Sequence, residues 1–380
     1  MTETRITPID GLRGLAILLV ILHHSFDPVY GYGRLLDGIF AGLSLGWVGV
    51  DLFFAISGFL ITGILLETKQ SAQYFLNFYA RRFLRIFPLY YLFCFLALYV
   101  VPCLPCANPL TFEPIKEQQA WLWLYGANIL ISLKHSWVLA TNCLELNHLW
   151  SLAVEEHFYL IWPLVIWLCS PRQLKVICLV AISIVFAARV TYVFSSHDFI
   201  SAYIMTPLRI DALLIGSGVA LLRSEMSPGK FRALGHIALP SMFVLLVASF
   251  RFFDWRLSGT FAPSVGLTLL PLFFAASIVY VVSSSDMSLV KRAFSTPILS
   301  FFGKYSYGLY IYHFPVLKML GAIGIASYFI NATHSRLGGI MAFNFVAFIV
   351  AILVAMLSWH AWEKHFLKLK VYFVAKTSGK

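Results

Sequence analysis

Ten long apolar segments divide this 380-residue chain, and they constrain its fold more than any other feature of the sequence. Hydrophobic residues make up 60% of the chain and charged residues only 12%, whereas soluble domains carry about 25% charged residues. A soluble fold needs a polar exterior, so this much apolar surface requires a bilayer. The sequence therefore predicts an all-α fold, a polytopic membrane helix bundle of about ten transmembrane helices. The apolar segments cover residues 12–26, 43–66, 86–101, 149–169, 174–194, 210–222, 237–250, 261–282, 307–325 and 340–359.

The first, sixth and seventh segments are the shortest, well below the roughly 20 residues that a spanning helix needs. Each of them must recruit flanking polar residues, which indicates a polar site inside the bundle. The first segment is preceded only by Arg5 and Arg13, and no small-residue cleavage site follows it. We therefore interpret it as the first span rather than as a cleaved signal peptide.

The positions of the basic residues predict the orientation of the bundle. With the N-terminus in the cytoplasm and ten alternating helices, the inner segments hold 19 of the 28 Lys and Arg residues. This bias agrees with the positive-inside rule and places both termini in the cytoplasm, with the connection 102–147 outside. The net charge of +11 lies in short connections between apolar segments, a pattern of membrane topology that predicts no nucleic-acid partner.

The predicted outer connection contains three cysteines, Cys103, Cys106 and Cys143. A disulfide between two of them, free thiols and a metal site are the three interpretations that the sequence leaves open. The metal site is the least favoured, because the second ligand pair that a structural zinc site needs is missing from this segment.

Ionisable residues inside the apolar segments are functional hypotheses by default, since a charge near the bilayer centre costs several kcal/mol. A rise of about 1.5 Å per residue places His24, Ser57 and His313 near the middle of the membrane and Glu155 further out. A histidine at that depth can also serve only to hydrogen-bond a neighbouring carbonyl.

Asp51, Arg189 and Asp211 also fall within apolar segments, and Arg209 directly precedes the sixth one. Asp51 is either a residue at a helix start or part of a site. Arg209 and Asp211 are expected either to neutralise each other structurally or to belong to a site.

A basic cluster precedes the third apolar segment. Arg81 and Arg85 share one helix face, and Arg82 lies beside them. Guanidinium groups bind phosphate with paired hydrogen bonds, although a cluster of this kind is also a common topology anchor.

Together these residues predict a phosphate-type site at the inner surface and a histidine and carboxylate site further out. That combination suits a phosphate-bearing donor held from the cytoplasm, with its reactive end inside the membrane. His24 would accept the proton of an attacking hydroxyl, and Glu155 would orient the imidazole. The same residue types serve proton-coupled transporters, and composition and spacing do not separate the two functions.

Several motifs, taken in order, resemble those of the integral-membrane acyltransferase family three, which includes bacterial O-acyltransferases of surface polysaccharides. Arg13 and His24 reproduce its Arg-x10-His pattern, and Arg82 and Arg85 its Arg-x-x-Arg pattern. The other matching segments are IDGLRGLA at 9–16, GVDLFF with SGF at 49–59, HLWSLAVEE at 148–156 and SYGLY with a following histidine at 306–313. The resemblance extends over about residues 5–365.

This resemblance implies ten helices in a bacterial cytoplasmic (inner) membrane. It also implies a cytoplasmic acyl-CoA donor, expected to be acetyl-CoA, and an acceptor hydroxyl on an extracytoplasmic glycan or lipid-linked saccharide. His24 takes the place of the catalytic histidine, as general base or transient acyl carrier, and Glu155 that of the acidic residue of the fourth helix. The residues expected to bind the substrates are Arg13, Arg81, Arg82, Arg85, Asp51, Ser57, His148, Trp150, Ser151 and His313. No bound cofactor and no metal are expected.

The predicted domains are a membrane acyltransferase domain at 1–365 and a short basic cytoplasmic tail at 366–380. Some family members carry a fused extracytoplasmic hydrolase-like domain after the last span, and here the stand-alone form is expected. The alternative functions are a proton-coupled transporter or flippase of a glycan or lipid precursor, and a non-catalytic assembly partner.

Overall fold

The computed structural model describes residues 7–26, 32–285 and 287–373, and within these ranges the chain is helical with no β-strand. The predicted all-α fold class is therefore confirmed. The helices are α1 (Thr7–Ser25), α2 (Arg34–Ser44), α3 (Val48–Thr68), α4 (Tyr74–Phe95), α5 (Pro109–Glu117), α6 (Gln119–Trp123), α7 (Ala127–Lys134), α8 (Trp150–Leu168), α9 (Pro171–Ser196), α10 (Phe199–Ile204), α11 (Thr206–Glu225), α12 (Pro228–Phe252), α13 (Leu267–Ser283), α14 (Leu289–Phe294), α15 (Pro297–Ala322), α16 (Ile325–Thr333), α17 (Arg336–Ser358) and α18 (Lys364–Lys368).

Within the described ranges, seven helical segments are long and apolar enough to cross a membrane, and α15 and α16, bent by 65°, make up an eighth candidate. Helices α1 and α8 have 19 residues each, but their ionisable residues lower their hydropathy below that of the other spans. The chain is thus an integral membrane protein, and the count of ten spans stays a prediction. The predicted cytoplasmic termini fall partly on residues 1–6 and 374–380, which lie outside the described residues.

The short apolar segments are completed by polar flanks, as the sequence suggested. Helix α11 has 20 residues and α12 has 25, although their apolar segments are much shorter. Helix α4 begins at Tyr74, well before the apolar segment that starts at residue 86. Arg81, Arg82 and Arg85 therefore lie on a helix, as their spacing predicted.

Helices α1 and α15 pack against each other along much of their length. Two glycines allow the close approach of their backbones. A Cβ atom at Gly14 would lie 2.1 Å from the carbonyl oxygen of Leu299, and one at Gly303 would lie 1.9 Å from that of Asp10. No side chain larger than hydrogen fits at either position, so this contact fixes Arg13 and His24 of α1 relative to α15.

Buried ion pairs connect α3, α9 and α11. Arg209 Nη2 donates to Asp51 Oδ1 at 2.8 Å, and Arg189 donates to both carboxylate oxygens of Asp211 at 3.0 and 2.8 Å. All four side chains are fully buried. The expectation that Arg209 and Asp211 neutralise each other is wrong, because residues two apart on a helix point to different faces.

The last described residues continue the helical structure past the predicted domain boundary. A π-helical segment, Trp359–Glu363, leads into α18 and a short 3-10 turn, Leu369–Tyr372. Residue 365 therefore falls inside α18, and the division into a domain and a separate tail stays a prediction.

Candidate active site

A large cavity opens between α1, α3, α4, α8, α11 and α15, with a volume of about 830 Å³. We call it the arginine cavity, after the three arginines of the predicted site that line it, Arg13, Arg82 and Arg85. The ionisable residues of its lining are Asp10, Arg13, Glu67, Arg82, Arg85, Glu155, Glu156, Arg223, Lys304 and Glu363. Five carboxylates and five cations therefore face one cavity inside an otherwise apolar bundle.

Arg13 is positioned by the close contact of α1 and α15. Its Nη2 donates to Ser306 Oγ at 3.0 Å, one turn along α15 from Gly303. Ser306 Oγ in turn donates to the Gly303 carbonyl oxygen at 3.0 Å. These bonds hold the guanidinium at the cavity wall.

Arg82 and Arg85 extend from α4 into the same cavity. The Arg82 guanidinium lies over the rings of Phe78 and Tyr159, 5.8 Å from each centroid, a distance at which the aromatic faces stabilise the cation. Arg81 is not among the cavity-lining residues. The three predicted donor-binding arginines of α4 therefore separate into two that face the cavity and one that does not.

Glu155 lies on the α8 side of the cavity, with Ser57 and Tyr159. The hydroxyls of Ser57 and Tyr159 are in hydrogen-bonding contact with each other, and all three residues line the cavity. Glu155 and Ser57 thus line the same cavity, and their relative depth in the membrane stays a prediction. Glu155 faces the arginines of the cavity.

A second polar group, formed by His24, His148 and His313, lies outside the cavity lining, and we call it the histidine cluster. His313 Nε2 lies 3.0 Å from His24 Nδ1, and the rings of His148 and His313 lie 5.6 Å apart. His24 also stacks on Phe314, with ring centroids 4.1 Å apart. A histidine, and not the Glu155 carboxylate, is therefore the hydrogen-bonding partner that the structure places against His24.

The neighbours of His313 determine which tautomers fit this contact. His313 Nδ1 lies 2.9 Å from the carbonyl oxygens of both Leu309 and Tyr310, and a carbonyl can only accept a hydrogen bond. Nδ1 of His313 must therefore carry the proton, and Nε2 of the neutral ring is an acceptor. It follows that His24 Nδ1 donates to it, which leaves a lone pair on His24 Nε2.

Ser151 and Tyr310 separate the arginine cavity from the histidine cluster. Their hydroxyls lie 2.5 Å apart, and Tyr310 also donates to the His148 carbonyl oxygen at 3.0 Å. Both side chains line the cavity, while the Tyr310 ring centroid lies 5.9 Å from that of His313. The Ser151–Tyr310 pair is therefore a thin polar boundary between the two groups.

Of the remaining predicted site residues, Asp51 and Trp150 lie away from the cavity lining. Asp51 is fully buried in its ion pair with Arg209. Trp150 packs edge-on against Phe54, and its ring centroid lies 4.8 Å from that of Tyr203. Both residues support the helices that carry the site.

Sequence reasoning missed several cavity residues, of which Glu363 is the most notable. It is 7% exposed and accepts a hydrogen bond from Ser358 Oγ at 3.1 Å. It lies in the π-helical segment after α17, and such segments are frequent at functional sites. The only signal in the sequence was an acidic residue just beyond the last apolar segment, in an otherwise basic stretch.

Comparison with known proteins supplies independent information on this arrangement. The acyltransferase domain family matches residues 6–360 of this chain. The peptidoglycan O-acetyltransferase OatA of Listeria monocytogenes is 29% identical over 337 residues, which cover 82% of this chain and 49% of that protein. The O-acetyltransferase OatA of Staphylococcus aureus is 27% identical over 367 residues, which cover 89% of this chain and 56% of that protein.

The chain spans about half the length of these curated relatives. No solved structure matches it. The family match, however, extends over nearly the whole chain and includes the histidine cluster and all of the arginine cavity lining except Glu363 and Leu367. The chain therefore belongs to the acyltransferase family that its motifs had indicated.

Proposed function

We propose that this chain is an O-acetyltransferase of the bacterial cytoplasmic (inner) membrane. It moves an acetyl group from cytoplasmic acetyl-CoA to a hydroxyl of an extracytoplasmic glycan or lipid-linked saccharide. The main support for this proposal is that the arginine cavity and the histidine cluster adjoin each other at the Ser151–Tyr310 pair. A phosphate-binding chamber and a candidate base are thus separated by one pair of side chains.

The arginine cavity suits an acyl-CoA donor in size and chemistry. Its volume of about 830 Å³ lies in the usual range of about 300–1,000 Å³ for ligand pockets. Arg82 and Arg85 supply guanidinium forks for the donor phosphates, and Arg13 adds a third cation nearby. The apolar part of the lining accommodates the pantetheine arm, with the thioester directed toward Tyr310.

His24 performs the acid–base chemistry through its free Nε2. The acceptor hydroxyl gives its proton to Nε2 while its oxygen bonds to the thioester carbonyl carbon. The carbon–sulfur bond then breaks, and the leaving thiolate takes the proton from the imidazolium. In the other possible order, Nε2 attacks the thioester carbonyl carbon and the thiolate leaves. The hydroxyl oxygen then takes the acetyl group from Nε2, and the hydroxyl proton goes to the thiolate. Both routes require the His24 tautomer that His313 selects.

The Ser151–Tyr310 pair closes the direct path from the cavity to His24 in this structure. We infer that the tyrosine moves aside when the donor is bound, so that the thioester reaches the imidazole. Closure in the absence of donor also keeps water away from the reacting groups.

The names of the relatives favour a glycan acceptor. The Listeria monocytogenes relative is a peptidoglycan O-acetyltransferase, and by analogy we propose a sugar hydroxyl of a surface or exported glycan for this chain.

The test uses the purified full chain in proteoliposomes, with radiolabelled acetyl-CoA outside and a glycan oligosaccharide inside. Acetyl transfer to the enclosed glycan is expected, and His24→Ala vesicles are the matched control. Saccharide movement without consumption of acetyl-CoA would contradict the proposal and favour a transporter. Mass spectrometry of surface glycans from a deletion strain, which should lose acetyl groups, identifies the acceptor.

A further inference from the structure

The connection between α4 and α8 holds three cysteines that the proposed reaction does not use. Cys103 is exposed, Cys106 is partly buried, and Cys143 is buried. The connection folds into α5, α6 and α7 and reaches α8 through a 3-10 turn, Asn147–Leu149, which contains His148 of the histidine cluster. The conformation of this connection therefore affects the position of His148.

Hydrogen bonds fix the two parts of this connection that carry Cys106 and Cys143. Asn142 Nδ2 donates to the Cys106 carbonyl oxygen at 2.6 Å, and Asn142 Oδ1 accepts from Asn108 N at 3.3 Å and from Thr111 Oγ1 at 3.1 Å. On the other side, Cys143 lies in a tight turn in which Thr141 N donates to the Leu144 carbonyl oxygen at 2.8 Å. The residue before Cys143 is thus bound directly to Cys106.

The Cys106 and Cys143 thiols are close enough to interact with each other. The Cys103 thiol instead points to the Tyr99 carbonyl oxygen, 3.4 Å away on its own helical turn. Within the described residues, no group of three or more His, Cys, Asp or Glu side chains is arranged to hold a metal ion, and two thiols alone do not complete a tetrahedral site.

Burial and the neighbouring Cys106 thiol raise the pKa of Cys143 to about 11. Few Cys143 thiolates therefore exist at neutral pH, so this residue is expected to react with a sulfur held beside it rather than with free reagents. A buried thiol against a second thiol, in a chain segment held by hydrogen bonds on both sides, is the environment of a structural disulfide.

We propose that Cys106 and Cys143 form a disulfide that ties the connection together ahead of His148. The proposal rests on the outward orientation of residues 102–147 that the proposed function assumes. The Cys106 thiolate, the more accessible of the two, attacks a disulfide of a thiol oxidant and forms a mixed disulfide. The Cys143 thiolate then attacks the Cys106 sulfur and releases the reduced oxidant. Two protons and two electrons leave the protein, and one Sγ–Sγ bond forms.

The bond would stabilise the segment that leads into α8. That segment is already ordered by Asn147, whose N and Nδ2 donate to Glu145 Oε1 at 3.0 and 2.5 Å. Leu139 N also donates to Asn147 Oδ1 at 2.9 Å. A covalent link at Cys143 would keep this network, and hence His148, in place.

Thiol counting in the full-length protein tests the proposal. Membranes are acid-quenched, dissolved in detergent denaturant and treated with a maleimide mass tag, with and without prior reduction. The chain has six cysteines. Without reduction, tags are expected on the four other than Cys106 and Cys143, and after reduction on all six. Cys103→Ser should lose one tag under both conditions, while Cys106→Ser should take five tags with or without reductant.

Six tags on the unreduced wild-type protein would overturn the proposal, as would a Cys103→Ser variant in which reduction adds no tags. Labelling of Cys103 in intact spheroplasts with an impermeant maleimide tests the outward orientation of residues 102–147 separately from the disulfide. If Cys103 reacts while six tags are counted, the disulfide is absent but the outward orientation stands. If it does not react, the orientation that the proposed function assumes has failed as well.

Discussion

His313 Nε2 lies 3.0 Å from His24 Nδ1 across the interface between α1 and α15. The opposite ring nitrogen of His313 is held by two backbone carbonyl oxygens, so its proton is fixed on that side. His313 therefore has the orienting role that the carboxylate has toward the histidine in a serine protease triad, but it is a neutral ring. One histidine selects the tautomer of the other.

His313 is accordingly expected to act as a positioning residue. Without the acceptor nitrogen of His313, His24 Nδ1 loses the hydrogen bond that keeps the proton away from His24 Nε2. His313→Ala should therefore lower kcat roughly 10²–10⁴-fold. Because His313 does not line the arginine cavity, KM for acetyl-CoA should stay near the wild-type value.

The conservative variant His313→Gln keeps an acceptor on a side chain of similar reach, and it should restore part of kcat. Steady-state kinetics on the purified variants check this. A rise in KM with unchanged kcat, or equal losses in the Ala and Gln variants, would contradict a tautomer-setting role.

His24 and His23 provide an internal control on adjacent positions of α1. His24→Ala should lower transfer about 10²–10⁴-fold, because acid–base assistance is lost. His23 Nδ1 lies 2.6 Å from the Ser44 carbonyl oxygen, a contact with the next helix, so His23→Ala should retain most activity.

Acetyl transfer by variants matched for membrane abundance measures the difference between the two histidines. An inactive His23→Ala beside an active His24→Ala would reverse the assignment. Activity in both variants would show that neither histidine of α1 is needed for catalysis.

The basic cluster of α4 can be tested with its own matched control. Arg82→Lys or Arg85→Lys keeps the charge but removes the guanidinium fork. Loss of a charge-assisted hydrogen bond, about 1.5–3 kcal/mol, should raise KM for acetyl-CoA roughly 10- to 100-fold. Arg81 does not line the cavity, so Arg81→Lys should leave KM nearly unchanged. Equal KM values for all three variants would indicate that the arginine cluster serves as a topology anchor and does not bind the donor.

The sequence was sufficient to predict the helical bundle and most of the cavity lining. Hydropathy located the apolar segments, and the motif resemblance selected Arg13, Arg82, Arg85 and Glu155, which all line one cavity. Hydropathy placed the start of α4 too late because the arginines interrupt the apolar pattern. Inside the bundle these charges face a polar cavity, so the helix extends back to Tyr74.

Contacts between distant helices were the part that one sequence could not supply. Helical rise placed His24 and His313 at similar depths, but their contact depends on how α1 and α15 are rotated about their axes. Gly14 and Gly303 set that rotation through backbone contact. In the same way, spacing within α11 suggested Arg209 and Asp211 as partners, although each pairs with a residue on another helix.

The ion pair of Asp51 and Arg209 yields a prediction about stability. Asp51 was expected to bind substrate, but it accepts from Arg209 at 2.8 Å with both side chains fully buried. Asp51→Ala leaves a buried guanidinium without its counter-charge, and the free energy of unfolding should fall by about 3–5 kcal/mol. The fraction of the detergent-solubilised protein that stays monodisperse after heating measures this loss.

Removal of both charges separates the structural role of this pair from a substrate-binding role. In Asp51→Ala with Arg209→Leu, no buried charge is left unpaired, so the double variant should be more stable than Asp51→Ala alone. Its KM for donor and acceptor should match the wild-type values, since neither residue lines the arginine cavity. An Asp51→Ala protein with normal heat stability and a raised KM would show instead that the carboxylate contacts substrate, and the double variant would then share the KM defect.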